Sequence, residues 1–252
     1  NLNTMKINTK FLYYIFNELQ KLELDTLQHI SKKRNHFKLR KPYENNYEKL
    51  TDLLHNSPIL NLKTENKINF NSVGWETRYY QICFGISTKK EIDEVCHNYI
   101  EGLSWILEYY FKKCKSWEWT YKYRHAPLLK DLANYVKSHD NINKVIRIPS
   151  GNPNKPFQQL LSVLPYQSRG LLPASYQVLM TSLNSSIKQY YPIDYEIDTI
   201  FKRYFWQCQP MLPVIVNKKI RNSSNSCKLS IDEKKRNSFE ENILLERKIK
   251  HI

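Results

Sequence analysis

Residues 88–112 read TKKEIDEVCHNYIEGLSWILEYYFK. Thr88 and Glu91 have the spacing of a capping box: the hydroxyl accepts a free backbone N–H, and the carboxylate returns to the cap. Ile92, Val95, Cys96, Tyr99, Leu103, Ile106, Leu107 and Tyr110 then recur as a wide apolar stripe. The spacing predicts a helix over 89–112, buried along one side. The same period spreads outward. Phe11, Ile15, Leu19, Leu22, Thr26 and Ile30 predict a helix over 9–34, closed by Lys32-Lys33-Arg34. Pro127 suits a first helical residue, with Leu128, Leu132, Tyr135 and Val136 continuing the pattern. FQQLLSVL at 157–164 reads as a helix stopped by Pro165, and another starts at Pro173.

Between these lie weaker signals. Residues 75–86 are compact, aromatic and candidates for an extended segment. FKRYFWQ at 201–207 and MLPVIV at 211–216 are strand candidates. Residues 35–70 read as a polar insertion, 138–155 as a loop and 217–228 as a linker. Ser230 and Glu233 repeat the capping-box spacing ahead of a charged stretch that runs to Ile252. The fold class expected is mainly α: a multi-helix domain with a few short strands and extended loops. It should occupy 1–216, with 217–252 as linker and charged tail.

Composition narrows the function. A 252-residue chain that is 41% apolar and 13% aromatic can build a core. No run of about 18 uncharged apolar residues occurs, so no membrane span is expected. The five cysteines form neither a CxxC pair nor a zinc spacing, which points to reduced thiols in an intracellular protein. The first residue is asparagine, as in a piece cut from a longer chain. The net charge of +15 favours a polyanionic partner, nucleic acid first. An AT-rich coding sequence would also enrich Lys, Asn and Ile, so charge alone is not decisive. With only five glycines, and neither GxGxxG nor GxxxxGK[ST], the chain has no nucleotide-cradling loop of those kinds.

Directly after the long helix comes CKSWEWTYKYRHAP, residues 114–127. Trp117, Trp119, Tyr121 and Tyr123 alternate, so an extended segment would turn all four to one side. Such rings can be a platform on which bases stack, with Lys122 and Arg124 on adjacent phosphates and His125 beside them. The plainer alternative is that most of the rings are core, sealing the end of the helix, with one left free. Asp194, Glu196 and Asp198 alternate in YPIDYEID and would share a strand face that could hold a cation. A solvated edge is the stronger reading. No nucleophile elbow or local triad occurs.

Ordered along nearly the whole chain are FNELQKLELDTLQ (16–28), GWETRYY (74–80), YIEGLSWILEYYFKKCKSWEWTYKYRHAP (99–127), PFQQLLSVLP (156–165), LLPASYQVLM (171–180), YYPIDYEID (190–198), FWQ (205–207), MLP (211–213) and DEKKRNSF (232–239). In that order the chain resembles the second conserved, helical region of the XRN family of 5'→3' exoribonucleases. The resemblance implies a processive nuclease that degrades RNA from a 5'-monophosphate end to mononucleotides with Mg2+ or Mn2+. The metal carboxylates and 5'-phosphate pocket would lie in an N-terminal catalytic region outside this sequence, in the same chain or a partner. The helical region would wall the channel and supply an aromatic, Trp117 or Trp119, to stack on a terminal base. The alternatives are a non-catalytic RNA-binding or regulatory module, and a scaffold docking on a catalytic partner. Lys122 stands where the family usually has proline, Arg124-His125 where it has His-Tyr, Leu128 where it has an aromatic, Val216-Asn217 where it has an acidic pair, and Phe201 and Cys208 where glycine is common. These departures mark a divergent member.

Overall fold

The computed structural model describes residues 6–39 and 42–239. Its contacts divide the chain into two units, each assembled from two stretches: residues 1–152 with 195–211, and residues 153–194 with 212–252. This division differs from the boundary expected after residue 216. Among the described residues the regular elements are helices apart from one two-stranded antiparallel sheet. No described helix is long and apolar enough to cross a membrane.

The first unit contains α1 (Thr9–Leu19), α2 (Glu23–Asn35), α3 (Asn46–His55), α4 (Ser57–Leu60), α5 (Lys63–Asn66), α6 (Trp75–Phe84), α7 (Lys89–Phe111) and α8 (Leu129–Lys137). Its short strands are β1 (Ile197–Asp198) and β2 (Gln209–Pro210). The capping box of α7 forms as expected: Glu91 N–H donates to Thr88 Oγ1, and Thr88 N–H donates to the Glu91 carboxylate. The helix expected over 9–34 is broken by a tighter 3-10 turn at Gln20–Leu22. That turn rotates the apolar face. Phe16 of α1 packs with Cys96, Ile100, Leu132 and Val136, whereas Leu24 and Leu27 of α2 pack against Ile68, Phe70, Tyr79 and Tyr80.

Residues 75–84 are helical and not extended. Trp75, Tyr79 and Cys83 follow each other at four-residue spacing and meet one cluster. Arg78 of the same helix donates to the carbonyls of Ile68 and Val73 at 2.8 Å, holding the loop before it. Pro127 lies outside α8. The helix starts at Leu129, whose N–H donates to Glu23 Oε1 at 2.7 Å. A carboxylate 106 positions away therefore caps it, in place of a local side chain. Residues 35–70 are not irregular throughout, since α3, α4 and α5 fall there. FKRYFWQ and MLPVIV are not strands: 205–207 is a 3-10 turn and 211–216 is without regular structure.

The second unit contains α9 (Pro156–Val163), α10 (Ala174–Thr181), α11 (Asn217–Ser224) and α12 (Ile231–Arg236). Its core gathers Phe157, Leu161, Leu172, Tyr176, Met180, Ile187, Tyr190, Tyr191 and Ile220. The linker expected at 217–228 is helical through residue 224 because Ile220, its lone large apolar residue, is fully buried in that core. The capping box of α12, Ser230 with Glu233, forms as expected. The end of the charged tail lies outside the described residues.

Candidate nucleic-acid interface

The candidate site grows from the last turns of α7. Trp105 stacks on Tyr109, one turn along, with centroids 5.0 Å apart and planes 8° from parallel. Trp119 lies over Trp105 at 5.8 Å and 23°. The stack requires Gly102: a Cβ there would stand 2.8 Å from the Trp119 ring. Trp105 Nε1 donates to the Ser116 carbonyl at 2.8 Å, tying the segment back to the helix. Trp119 Nε1 is buried without a hydrogen-bond partner. Ser116 also bridges to Gly151.

Trp119, Tyr121 and Tyr123 all turn towards the protein. Tyr121 meets Tyr99 edge-on at 5.9 Å and its hydroxyl donates to the His125 carbonyl at 2.7 Å. Tyr123 packs on Tyr121 and Phe84. Burial pushes the Tyr121 and Tyr123 hydroxyls above the ordinary tyrosine range. Trp117 departs from this pattern. It is 56% exposed, and among the described residues no ring packs on it. The end of α7 also leaves Tyr109, Tyr110 and Phe111 exposed, followed in sequence by the exposed Lys112 and Lys113. Lys115 pairs with Glu108 at 3.0 Å.

Lys122 and Arg124 are exposed, as a phosphate contact requires. His125 is not beside them on the surface. It is buried, and its Nε2 donates to Asp198 Oδ2 at 2.8 Å. Burial raises the Asp198 pKa, but the bonds from His125 and the Ile200 N–H outweigh it and hold the carboxyl below its ordinary value. The alternating carboxylates therefore do not act as a set, since Glu196 is exposed while Asp198 is committed inside.

A buried ion pair also holds this segment. Arg34 donates through Nε and Nη2 to both Glu65 oxygens, at 2.6 and 2.9 Å, and through Nη2 to the Lys202 carbonyl at 2.9 Å. Glu65 also accepts the Phe201 N–H at 2.8 Å. Phe201 has φ +59°, a left-handed conformation that explains why glycine would be the easier residue there. Among the described residues no three His, Cys, Asp or Glu side chains gather to hold a metal ion.

Of Trp105, Tyr109, Tyr110 and Phe111, only Tyr110 belongs to the apolar stripe read from the sequence; the other three were missed as site residues. The signal that distinguishes them is their nearness to residue 112, where the helix ends and its rings outrun their core.

Comparison with known proteins agrees with this architecture. The Xrn1 helical domain matches residues 13–251. The chain is similar to 5'-3' exoribonuclease 2 of Arabidopsis thaliana, 38% identical over 180 residues, which cover 69% of this chain and 17% of that protein. It is similar to 5'-3' exoribonuclease 2 of Cryptococcus neoformans, 39% identical over 71% of this chain and 16% of that protein. Human 5'-3' exoribonuclease 1 is 35% identical over 66% of this chain and 10% of its own length. The chain thus spans a small fraction of the curated relatives it matches. With the match running from α1 into the charged tail, the chain belongs to the Xrn1 helical domain family.

Proposed function

We propose that this chain is the helical portion of a 5'→3' exoribonuclease that degrades 5'-monophosphorylated, single-stranded RNA to mononucleotides. Its part is to wall the RNA channel and to offer a ring for a terminal base. The observation that carries this reading is Trp117, an indole left in solvent two positions before the stacked Trp119, in a segment that also carries Lys112, Lys113 and Lys115. An exposed indole has an open π-face for any base, and the lysines suit its phosphate. Trp119 anchors the segment against α7, and Lys122 and Arg124 serve the backbone contacts.

Among the described residues the buried carboxylates do not fit a metal centre. Asp198 is taken by His125, Glu65 by Arg34 and Asp131 by the Tyr80 hydroxyl at 2.7 Å. We therefore assign the Mg2+ or Mn2+ of the complete enzyme to an N-terminal catalytic region, in the same polypeptide or a partner. The test is decay of a 5'-monophosphorylated RNA with magnesium, by this chain alone and by the chain joined to its upstream coding sequence. Mononucleotide release by the longer form alone is expected. Equal activity in the isolated chain would refute the assignment of the metal. RNA binding with no decay by either form would point to the non-catalytic module.

A further inference from the structure

KKRNSF, residues 234–239, sets three cations ahead of a serine and an aromatic ring directly behind it. A protein kinase with an acidic peptide groove reads such a pattern: its carboxylates pair with the cations before the acceptor, and an apolar pocket takes the ring after it. Three serines or threonines of the chain follow at least two basic residues within four positions: Ser116, Ser223 and Ser238. The structure separates them. Ser116 is 1% exposed, and Ser223 is half-buried in α11 with its hydroxyl bonded to that of Ser186. Ser238 is exposed, as are Lys234, Lys235, Arg236 and Phe239. The three cations lie in the last turn of α12, a helix of six residues, and so short a helix opens readily enough for a kinase to take it extended.

The residue before Ser238 ties it to the core of the second unit. Asn237 is buried, and its Oδ1 accepts the Phe157 N–H at 2.9 Å. Phe157 stands in the first turn of α9, where a backbone N–H has no partner within the helix, and its ring lies in the core. Arg236 lies over that ring, its guanidinium carbon 5.7 Å from the centroid. Asn237 is aimed from the end of α12: its N–H donates to the Glu233 and Lys234 carbonyls at 3.0 and 3.2 Å. Ser238 closes the same turn, donating to the Lys235 carbonyl from its hydroxyl at 2.6 Å and from its N–H at 3.2 Å. A phosphate on Oγ would remove the proton that makes the shorter bond. It would also set a charge of about −1.5 to −2 against the carbonyl end of a helix.

We propose that Ser238 is a phosphorylation site for a serine kinase that reads basic sequences, and that its modification releases Asn237 from α9. In the transfer Ser238 Oγ bonds to the γ-phosphorus of ATP, the bond from that phosphorus to the ADP oxygen breaks, and the hydroxyl proton passes to the kinase's carboxylate. The last turn of α12 then opens, and the Phe157 N–H loses its acceptor. To test this, the 252-residue chain is incubated with magnesium ATP and the catalytic subunit of cyclic-AMP-dependent protein kinase, and phosphate is mapped by mass spectrometry. Phosphate is expected on Ser238. Ser223→Ala should leave its rate of addition unchanged, and Arg236→Gln should slow it roughly 10-fold or more. Exchange of the Phe157 amide hydrogen, followed by NMR, should quicken roughly 10-fold in the phosphorylated chain. Asn237→Ala should give the same fast exchange without phosphate, and kinase treatment of Ser238→Ala should leave exchange as it was. No phosphate, or phosphate on Ser116 or Ser223 in place of Ser238, overturns the site. Phosphate on Ser238 with Phe157 exchange unchanged overturns the release of Asn237. Equal quickening of amides throughout the second unit also overturns it, since that reports a general loosening and not the loss of one acceptor.

Discussion

The space at Gly102 decides what each tryptophan of the SWEW segment does. Trp119 fills the side of α7 that Gly102 leaves open and closes the stack on Trp105. Trp117 has no such seat and remains in solvent. The two indoles should therefore fail differently. Trp119→Ala should lower stability by about 2–4 kcal/mol in urea titration, from lost burial and the cavity left behind. Trp117→Ala should stay within about 0.5 kcal/mol and instead slow RNA decay by the complete enzyme. Gly102→Ala forces a methyl group against the Trp119 ring and should cost about 1–3 kcal/mol. Its cost should shrink in a Trp119→Leu background, because the two sites share one space. The alternation of rings was legible in the sequence, and so was the expectation that most would be core. Which ring stayed free was not, because that depends on Gly102, fifteen positions earlier on a different element, and not on anything in the SWEW segment. His125 shows the same limit. Its buried partner is 73 positions away, and no local pattern announces it.

At the scale of elements, α7 was readable because both its cap and its stripe are local. The segment 195–211 was not, because long-range pairs hold it: His125 with Asp198, and Arg34 with Glu65, Phe201 and Lys202. Removing the Asp198 carboxylate leaves the buried His125 N–H without its acceptor, so Asp198→Ala should cost about 1–3 kcal/mol. The acid dependence has a defined sign. The Asp198 carboxyl is held below its ordinary value, so its contribution is present above about pH 4 and is lost as pH falls through the folded value. Glu23 and Asp131 act the other way. Burial raises both, so protonating them on acidification relatively favours the folded state. The informative quantity is therefore a difference: between pH 7 and pH 3 the urea midpoint should fall less in Asp198→Asn than in the unaltered chain.

For the whole molecule, the charge of +15 bears on how RNA is held more than on what it does there. Binding should weaken linearly in log salt, with a slope near −0.7 per neutralised phosphate on a single strand. Replacing Lys122 and Arg124 by glutamine should flatten that slope by about 1.4 if each meets one phosphate. A mainly helical class was legible because its period repeats along the chain. The division into two units was not, because it depends on which distant stretches pack together. Each unit is built from two stretches that alternate along the sequence, 1–152, 153–194, 195–211 and 212–252. A ribosome delivering this chain from its N-terminus would have made residues 1–152 long before the stretch that pairs with His125 and Glu65 emerged. It would likewise have made residues 153–194 before Ile220, which completes their core. Neither unit can finish while its first half is the only one outside the exit tunnel. With residues only to 194 outside the tunnel, the segments around His125 and Glu65 and residues 153–194 should therefore be protease-sensitive, and their protection should arrive in two steps, once residue 211 and then residue 224 have emerged.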